Sequence, residues 1–275
     1  MRKTVKILGV KFDTITEKEA VKKVSDWLSP GFKLFSHHFI VTPNPEILLA
    51  AQKDEEYRKI LNKADLNIAD GTGILWASKF KDLSSIFDSG FKRFSKWLGS
   101  LLMIPLSKSF IRTVIPERIT GVDFMKKICK IAEQKNLKIF LLGAQEGVAE
   151  ITAKKLTKKF PKLEIVGTYA GSPKEEDRKM ILDILNLSKP DILFVAYGAP
   201  AQEKWIYQNY KKIKSLKLAM GVGGAFDFIS GIKKRAPETM QKLGIEWLYR
   251  LYKQPSRMKR IINATTVFPI KVFKD

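Results

Sequence analysis

The stretches KIFLL at residues 138–142 and DILFVA at residues 191–196 decide the fold of this 275-residue chain. Each is a short apolar run of strand length bounded by polar residues. Residues 164–168 and 217–221 form similar runs. Helix-like stretches separate the four runs, at residues 146–160, 173–187 and 200–212. Apolar strands that alternate with helices predict an α/β fold with a parallel sheet covered by helices on both faces.

The N-terminal part continues this pattern. Residues 5–10 predict a first strand, and Thr16 and Glu19 have the spacing of a capping box at the start of a helix that runs to Leu28. A further strand is predicted at residues 34–41. Helical pieces are predicted at residues 45–51 and 55–62.

The charge of the chain limits its partners. It carries 50 Lys and Arg against 28 Asp and Glu, a net charge of +22. Such an excess implies an anionic partner, and it leaves nucleic acid, anionic lipid and phosphorylated substrates open.

The single Cys129 excludes an intramolecular disulfide and fits a reducing cytoplasm. The apolar stretch at residues 97–106 is shorter than the roughly 20 residues that span a bilayer, so we expect a soluble or peripheral protein.

Three predicted strands end in glycine-containing turns. These turns contain Gly143, Tyr197 with Gly198, and Gly223. Glycine lets a backbone approach a ligand closely, and the helix start that follows favours an anion. Each glycine also has a simpler interpretation, in which it only ends a strand. Three such turns in series favour a nucleotide crevice at the carboxyl edge of the sheet.

Polar residues follow two of these turns. Gln202 and Glu203 fall in the first turn of a predicted helix, and Asp227 follows Gly224. Glu203 also suits the helix dipole, and Asp227 also suits a turn cap. Both roles stay open at the level of sequence.

Two N-terminal segments carry candidate catalytic groups. Asn44 lies between two prolines just after Thr42, and Asp70 precedes Gly71. Asn44 is also a good N-cap for the helix that begins at Pro45. Asp70 is suited to a general base, but its local sequence favours a helix cap.

The sequence shows no metal motif. His37 and His38 have no Cys or acidic partner at ligand spacing and are interpreted as structural. No Asp-x-Asp occurs in the chain, so we predict no metal and no cofactor, with arginines stabilising a diphosphate instead.

Several segments together resemble one family, the WecG/TagA/CpsF glycosyltransferases (glycosyltransferase family 26). They are TPNPE (42–46), ADGTGI (69–74), ERITGVDF (117–124), FLLGAQEGVAE (140–150), YGAPAQEKW (197–205), GVGGAFDFISG (221–231), KRAPE (234–238) and LGIEWLYRLYKQPSR (243–257). They occur in the family's order, from the first strand to about residue 260.

The resemblance implies inverting, metal-independent transfer of a sugar from a UDP-sugar, most simply N-acetylmannosamine, with glucose and N-acetylmannosaminuronic acid as alternatives. The implied acceptor is a polyprenyl-diphosphate-linked N-acetylglucosamine at the cytoplasmic face of the membrane. The product would enter teichoic acid or another cell-surface polysaccharide. The implied fold is a Rossmann-like core, residues 1–232, with a basic helical appendage, residues 233–275, that closes the active site and touches an anionic membrane. Homo-oligomer formation stays open.

The resemblance also implies roles for individual residues. Asp70 matches the catalytic base, and Thr42 and Asn44 lie near the sugars. Arg118, Gln202 and Asp227 would line the nucleotide-sugar pocket. The glycine turns described above add Gly143, Tyr197, Gly198, Glu203 and Gly223 to the predicted pocket. The diphosphate would be bound by Arg250, Arg257 and Arg260.

One stretch departs from the family pattern. Shorter members have a brief connection where this chain has most of residues 79–116, a basic and amphipathic segment. Phe87, Phe91, Phe94, Trp97 and Leu98 recur there at helical spacing and predict a face that contacts lipid, the core or a sister subunit.

Two other functions compete with this interpretation. The positive charge would suit a nucleic-acid-binding protein, but no such motif is visible and nucleic acid is not the partner we predict. A non-catalytic scaffold of the same fold is disfavoured by the intact Asp70 and arginine set.

Overall fold

The computed structural model describes residues 3–31, 36–84, 88–237, 239–240, 246–253 and 255–275. Its strands, in chain order, are β1 Thr4–Ile7, β2 Val10–Asp13, β3 His38–Val41, β4 Leu66–Asn67, β5 Lys138–Gly143, β6 Glu164–Tyr169, β7 Ile192–Ala196 and β8 Leu218–Gly221. Six of them form one sheet in the order β4-β3-β8-β7-β5-β6, and every pair is parallel. The predicted Rossmann-like sheet is confirmed. The predicted start of β3, residues 34–35, lies outside the described residues.

The N-terminal strand prediction was wrong in one respect. Residues 5–10 do not form one strand of the sheet. They cross a tight turn between β1 and β2, which make a separate antiparallel hairpin. Leu8 and Gly9 both have positive φ, the geometry of a two-residue hairpin turn. Leucine is rare at such a position, so the sequence does not signal the turn.

Helices cover both faces of the sheet. They are α1 Glu17–Trp27, α2 Pro45–Ala51, α3 Glu55–Asn62, α4 Thr72–Leu83, α5 Gly90–Leu106, α6 Lys108–Ile111, α7 Gly121–Gln134, α8 Val148–Lys159, α9 Glu175–Ser188, α10 Ala201–Asn209, α11 Ala225–Ser230, α12 Glu246–Lys253, α13 Met258–Ile262 and α14 Phe268–Lys274. The capping box of Thr16 and Glu19 is present at the start of α1. The helices predicted at residues 45–51 and 55–62 are confirmed to the residue.

The core forms two clusters, one on each face of the sheet. Alternate strand residues point to opposite clusters: Phe140 and Leu142 to one, Ile139 and Leu141 to the other. One face is covered by helices that include α2, α3, α9 and α10, and the other by α1, α7, α8 and α11. Because the helices cover the two faces, the turns that follow the strands lie at the carboxyl edge of the sheet.

The last helix packs into the first of these clusters. Phe268 and Val272 of α14 are fully buried, and the Phe268 ring lies 6.5 Å from the Trp76 ring of α4. α14 belongs to the predicted appendage, residues 233–275, and it packs on the core; the division at residue 233 stays a prediction. Among the described helices, none is long and apolar enough to cross a membrane.

Candidate active site

The candidate site lies along the carboxyl edge of the sheet. Thr42 follows β3 and Asp70 follows the end of its neighbour β4. The backbone N–H of Asp70 donates to the Pro43 carbonyl at 3.1 Å, which joins the two turns. Parallel pairing of β3 and β4 thus brings the two predicted catalytic segments together.

Asp70 does not cap α4. The N-cap residue of α4 is Gly71, with φ of 122°, and the helix has no side-chain cap bond. The cap that local sequence favoured for Asp70 is therefore wrong. Instead its Oδ2 accepts a long hydrogen bond of 3.4 Å from the backbone N–H of Gly121, the first residue of α7.

Gly121 is a site residue that the sequence interpretation missed. A Cβ atom at this position would lie 3.2 Å from Thr42 Oγ1 and 3.9 Å from Asp70 Oδ2. The absence of a side chain lets the start of α7 approach both groups. Its signal in the sequence was the glycine of the ERITGVDF segment, which follows a good N-cap, Thr120.

Arg235 holds the start of α7 in place. Its guanidinium donates to both carboxylate oxygens of Asp123, at 2.6 and 2.7 Å, and to Thr120 Oγ1 at 3.3 Å. Burial alone would raise the pKa of Asp123, but the hydrogen bonds from Arg235 and Thr120 outweigh it and lower the pKa to about 2. The hydrogen bonds to Asp123 raise the pKa of Arg235, and the carboxylates of Glu246 and Asp70 add to that effect. Arg235 lies in the KRAPE segment but was not predicted as a site residue.

Two other predicted residues lie beside Asp70. Arg118 is in the loop before α7, where the N–H of the adjacent Ile119 donates to the Ala69 carbonyl at 3.1 Å. Asn44 is the N-cap of α2, since its Oδ1 accepts from the Ile47 N–H at 3.0 Å. The alternative role weighed for Asn44 is therefore confirmed, and a sugar-binding role for it stays a prediction.

Gln202 joins two of the glycine turns. Its Oε1 accepts from the N–H of Gly198 at 3.1 Å and from that of Gly223 at 2.9 Å. Gly221 leaves room for this side chain, because a Cβ there would lie 2.8 Å from Gln202 Nε2. The turns after β7 and β8 are therefore held in fixed relation at the edge of the sheet, next to β3.

Glu203 points into the protein rather than into the crevice. Its side chain is buried, and its two oxygens accept hydrogen bonds from Gln202 Nε2 at 2.6 Å and from the Tyr57 hydroxyl at 3.0 Å. Burial raises the pKa of Glu203, and these hydrogen bonds oppose the rise. The arrangement suits a role in positioning Gln202 more than direct contact with a nucleotide.

Gly143 and Tyr197 form the next part of the edge. A Cβ on Gly143 would lie 2.9 Å from the Ala196 backbone carbon and 3.1 Å from the Tyr197 ring, and its φ is +100°. Close packing of β5 against β7 thus requires this glycine, whether or not a ligand approaches it. Burial raises the pKa of the Tyr197 hydroxyl, which has no hydrogen-bond partner among the described residues.

Asp227 and Arg260 are both ion-paired. Asp227 accepts from Lys233 Nζ. Arg260 of α13 donates to Glu46 of α2 through its Nε at 2.6 Å, and its terminal nitrogen also pairs with that carboxylate. This pair places α13 against the first turn of α2, immediately after Asn44.

The three appendage arginines do not lie on one helix. Arg250 is on α12, which ends at Lys253, Arg257 ends the 3₁₀ turn Pro255–Arg257, and Arg260 is on α13. Pro255 begins the 3₁₀ turn and divides the segment. The three arginines therefore do not share one helical face.

Comparison with known proteins identifies the family of the chain. The profile described as the glycosyl transferase WecG/TagA/CpsF family matches residues 5–86 and 100–275. The chain belongs to this family. It is also 32% identical over 270 residues to the N-acetylglucosaminyldiphosphoundecaprenol N-acetyl-beta-D-mannosaminyltransferases of Staphylococcus aureus strains MRSA252 and MW2, covering 98% of this chain and 92% of each relative.

Membership of this family makes the chain a glycosyltransferase. The profile also gives narrower bounds for the segment that departs from the family pattern. The internal residues outside the profile are 87–99, which include the first half of α5, so the family pattern extends further into residues 79–116 than the sequence alone predicted. In the described residues, no group of three or more His, Cys, Asp or Glu side chains is arranged to hold a metal ion.

Proposed function

We propose that this glycosyltransferase transfers N-acetylmannosamine from a UDP-sugar to N-acetylglucosaminyl-diphosphoundecaprenol, with inversion and without a metal, in the synthesis of teichoic acid or a related surface polymer. The activity for which the Staphylococcus aureus relatives are named supports the acceptor and the sugar. Because that acceptor is anchored by a polyprenyl chain, the enzyme would work at a membrane surface, on the cytoplasmic side where UDP-sugars are made.

The observation that carries the proposal is the position of Asp70. Its carboxylate lies at the carboxyl edge, beside Thr42, and it is engaged by the Gly121 amide instead of capping a helix. Inverting transfer needs a base that removes the proton of the acceptor hydroxyl as its oxygen attacks the anomeric carbon. Asp70 would be that base, with Thr42 and Asn44 orienting the sugars.

The donor would bind along the adjoining turns. Gln202 fixes the Gly198 and Gly223 turns, whose backbones are then open to close approach by a nucleotide. The donor pocket would also include Gly143, Tyr197 and Asp227. Glu203 would hold Gln202 in position through the hydrogen bond from Gln202 Nε2. The leaving UDP carries a diphosphate, and Arg118 with Arg250, Arg257 and Arg260 would stabilise its charge.

Asp70→Asn tests the assignment. Asparagine keeps the size of the side chain and an oxygen for the Gly121 amide, but it cannot take a proton. We expect turnover to fall by about 10²–10⁴-fold, while UDP binding by calorimetry and the melting temperature stay as in the wild type.

Asp183→Asn is the matched control, because Asp183 lies on the exposed side of α9 and its variant should keep full activity. Wild-type turnover in Asp70→Asn would remove Asp70 as the base.

Assay against UDP-N-acetylmannosamine, UDP-glucose and UDP-N-acetylmannosaminuronic acid, each with and without EDTA, tests the donor and the metal-free mechanism. Sedimentation of the active enzyme tests oligomerisation.

A further inference from the structure

We propose that α5 carries a membrane-docking surface that inserts into anionic lipid. Phe91, Phe94, Leu98, Leu102 and Leu106 are all exposed, and they recur every three or four residues, so they form one stripe along the helix, called here the α5 stripe. Phe91 is 82% exposed and Leu106 76%. The proposal extends the proposed function, in which the acceptor is lipid-linked.

Three polar residues of α5, Arg93, Lys96 and Ser100, point towards the protein, whereas Lys92 and Ser95 are exposed. Arg93 Nε donates to the Phe273 carbonyl at 3.0 Å, and Lys96 Nζ donates to the Leu83 carbonyl at 2.6 Å and to Asp88 at 2.7 Å. Ser100 is buried. A helix on a water-facing surface normally shows the reverse pattern, with charges outward and apolar residues inward. The exposed apolar side of α5 therefore needs a non-aqueous neighbour.

The helix is firmly attached to the body of the enzyme. Trp97 Nε1 donates to the Pro269 carbonyl at 3.0 Å, and Trp76 Nε1 donates to Ser100 Oγ at 3.0 Å. The Phe94 ring also meets the Phe273 ring edge-on at 6.4 Å. Insertion of the stripe would thus fix the orientation of the whole enzyme on the membrane.

Charge favours a bilayer over a second copy of the chain. Exposed basic residues flank both ends of the α5 stripe, with Lys92 at one end and Lys108 and Arg112 at the other. Asp82 and Asp88 of this segment are each paired with lysine. Two copies of a chain with net charge +22 repel one another, whereas an anionic leaflet attracts both the flanking residues and the chain as a whole.

Part of the stripe lies outside the family profile, while Leu102 and Leu106 lie inside it. Phe91, Phe94 and Leu98 fall in residues 87–99, the part outside the family profile. A docking surface there adds to whatever contact the C-terminal segment makes.

Flotation of the full-length protein with vesicles tests the proposal. We expect wild-type protein to float with phosphatidylcholine vesicles that contain phosphatidylglycerol, and less with phosphatidylcholine alone. Leu98→Glu/Leu102→Glu places two carboxylates on the stripe and should lower binding to the anionic vesicles by about tenfold or more. Both side chains are exposed, so the melting temperature should not change.

Ile151→Glu/Leu187→Glu is the matched control. It makes the same chemical change at exposed apolar positions of α8 and α9, and Leu187 is 85% exposed. Both double variants lower the net charge by the same amount, so their difference in flotation reports the position of the substitutions. The control variant should float more than the stripe variant, at a level close to that of the wild type. Equal flotation of both double variants, or no flotation of the wild type, would overturn the proposal.

Two further measurements separate the alternatives. If the wild type sediments as an oligomer, the stripe variant as a monomer, and both float alike, then the occupant is a second copy and the proposal fails. Turnover of a water-soluble, short-chain acceptor analogue should be equal in wild type and stripe variant. Absence of that turnover in the wild type would count against the proposed reaction, while the flotation result would still decide the docking surface.

Discussion

At the residue scale, the position of Asp70 depends on a contact between parts of the chain that lie 51 residues apart. The Gly121 amide reaches the carboxylate because α7 begins at that point, and α7 begins there because Thr120 caps it and Arg235 binds both Thr120 and Asp123. Arg235 thus supports the candidate base without needing to touch the substrate. Its planar, bidentate geometry is one that lysine cannot reproduce.

Asp123 makes this support dependent on pH. Its pKa is about 2 in the folded protein, below its ordinary value of 3.8, so the ionised form stabilises the fold. That stabilisation is complete above about pH 4 and is lost as the pH falls from there towards 2. Asp123→Asn should therefore unfold at lower urea concentration than the wild type at pH 7, and the difference should shrink as the pH falls below 4. A difference that stays constant from pH 7 to pH 3 would show that the Asp123 charge does not contribute in this way.

The sequence predicted which residues lie near Asp70 better than it predicted their contacts. Thr42, Asn44 and Asp70 follow strands, so their meeting at one edge follows from a parallel sheet alone. The cap proposed for Asp70 failed because Gly71 takes that position with a positive φ. Gly121 and Arg235 were missed because their roles arise from tertiary contacts, which local patterns do not contain.

At the scale of elements, α13 connects the C-terminal segment to the candidate site. The pair between Arg260 and Glu46 joins it to the first turn of α2, which Asn44 caps. Arg260 is half exposed, so the pair contributes only about 0–1 kcal/mol to stability. A functional role for Arg260 would therefore be separable from its role in folding.

Arg260→Ala and Glu46→Ala separate the two roles. If Arg260 stabilises a diphosphate, its loss should lower turnover by at least about tenfold with little change in melting temperature. Glu46→Ala removes the ion pair but keeps the arginine, so it should retain most activity. Equal losses of turnover in the two variants would indicate that Arg260 acts only as the partner of Glu46.

Helix positions were predictable and helix orientation was less so. The apolar periodicity of α5 was visible in the sequence and grouped Trp97 with Phe94 and Leu98 on one face. The Trp97 indole instead turns inward and donates to the Pro269 carbonyl. Leu102 and Leu106 take part in the exposed stripe instead. Phe87, also assigned to that face, lies outside the described residues. When both sides of a helix carry large apolar groups, periodicity does not specify which side meets the core.

At the scale of the whole molecule, the two ends of the chain are packed together. Lys81 Nζ lies 2.6 Å from Asp275 Oδ2, and the N–H of Leu8, in the hairpin turn, donates to the same carboxylate at 3.2 Å. The final helix α14 lies among α2, α4 and α5. It thereby supports both the turn that follows Asp70 and the helix that carries the α5 stripe.

Phe268 is the side chain through which α14 packs on the core, and its replacement should lower the free energy of unfolding. It is fully buried, and a Cβ on Gly73, at the start of α4, would lie 3.6 Å from its ring. Phe268→Ala should cost about 3–5 kcal/mol and lower the melting temperature by roughly 10 °C. Ile270→Ala, on the same helix but 42% exposed, should cost about 1 kcal/mol or less. Because Gly73 lies three residues after Asp70, Phe268→Ala should also lose more turnover than Ile270→Ala at a temperature where both are folded. Equal melting temperatures for the two variants would show that α14 is not part of the cooperative core.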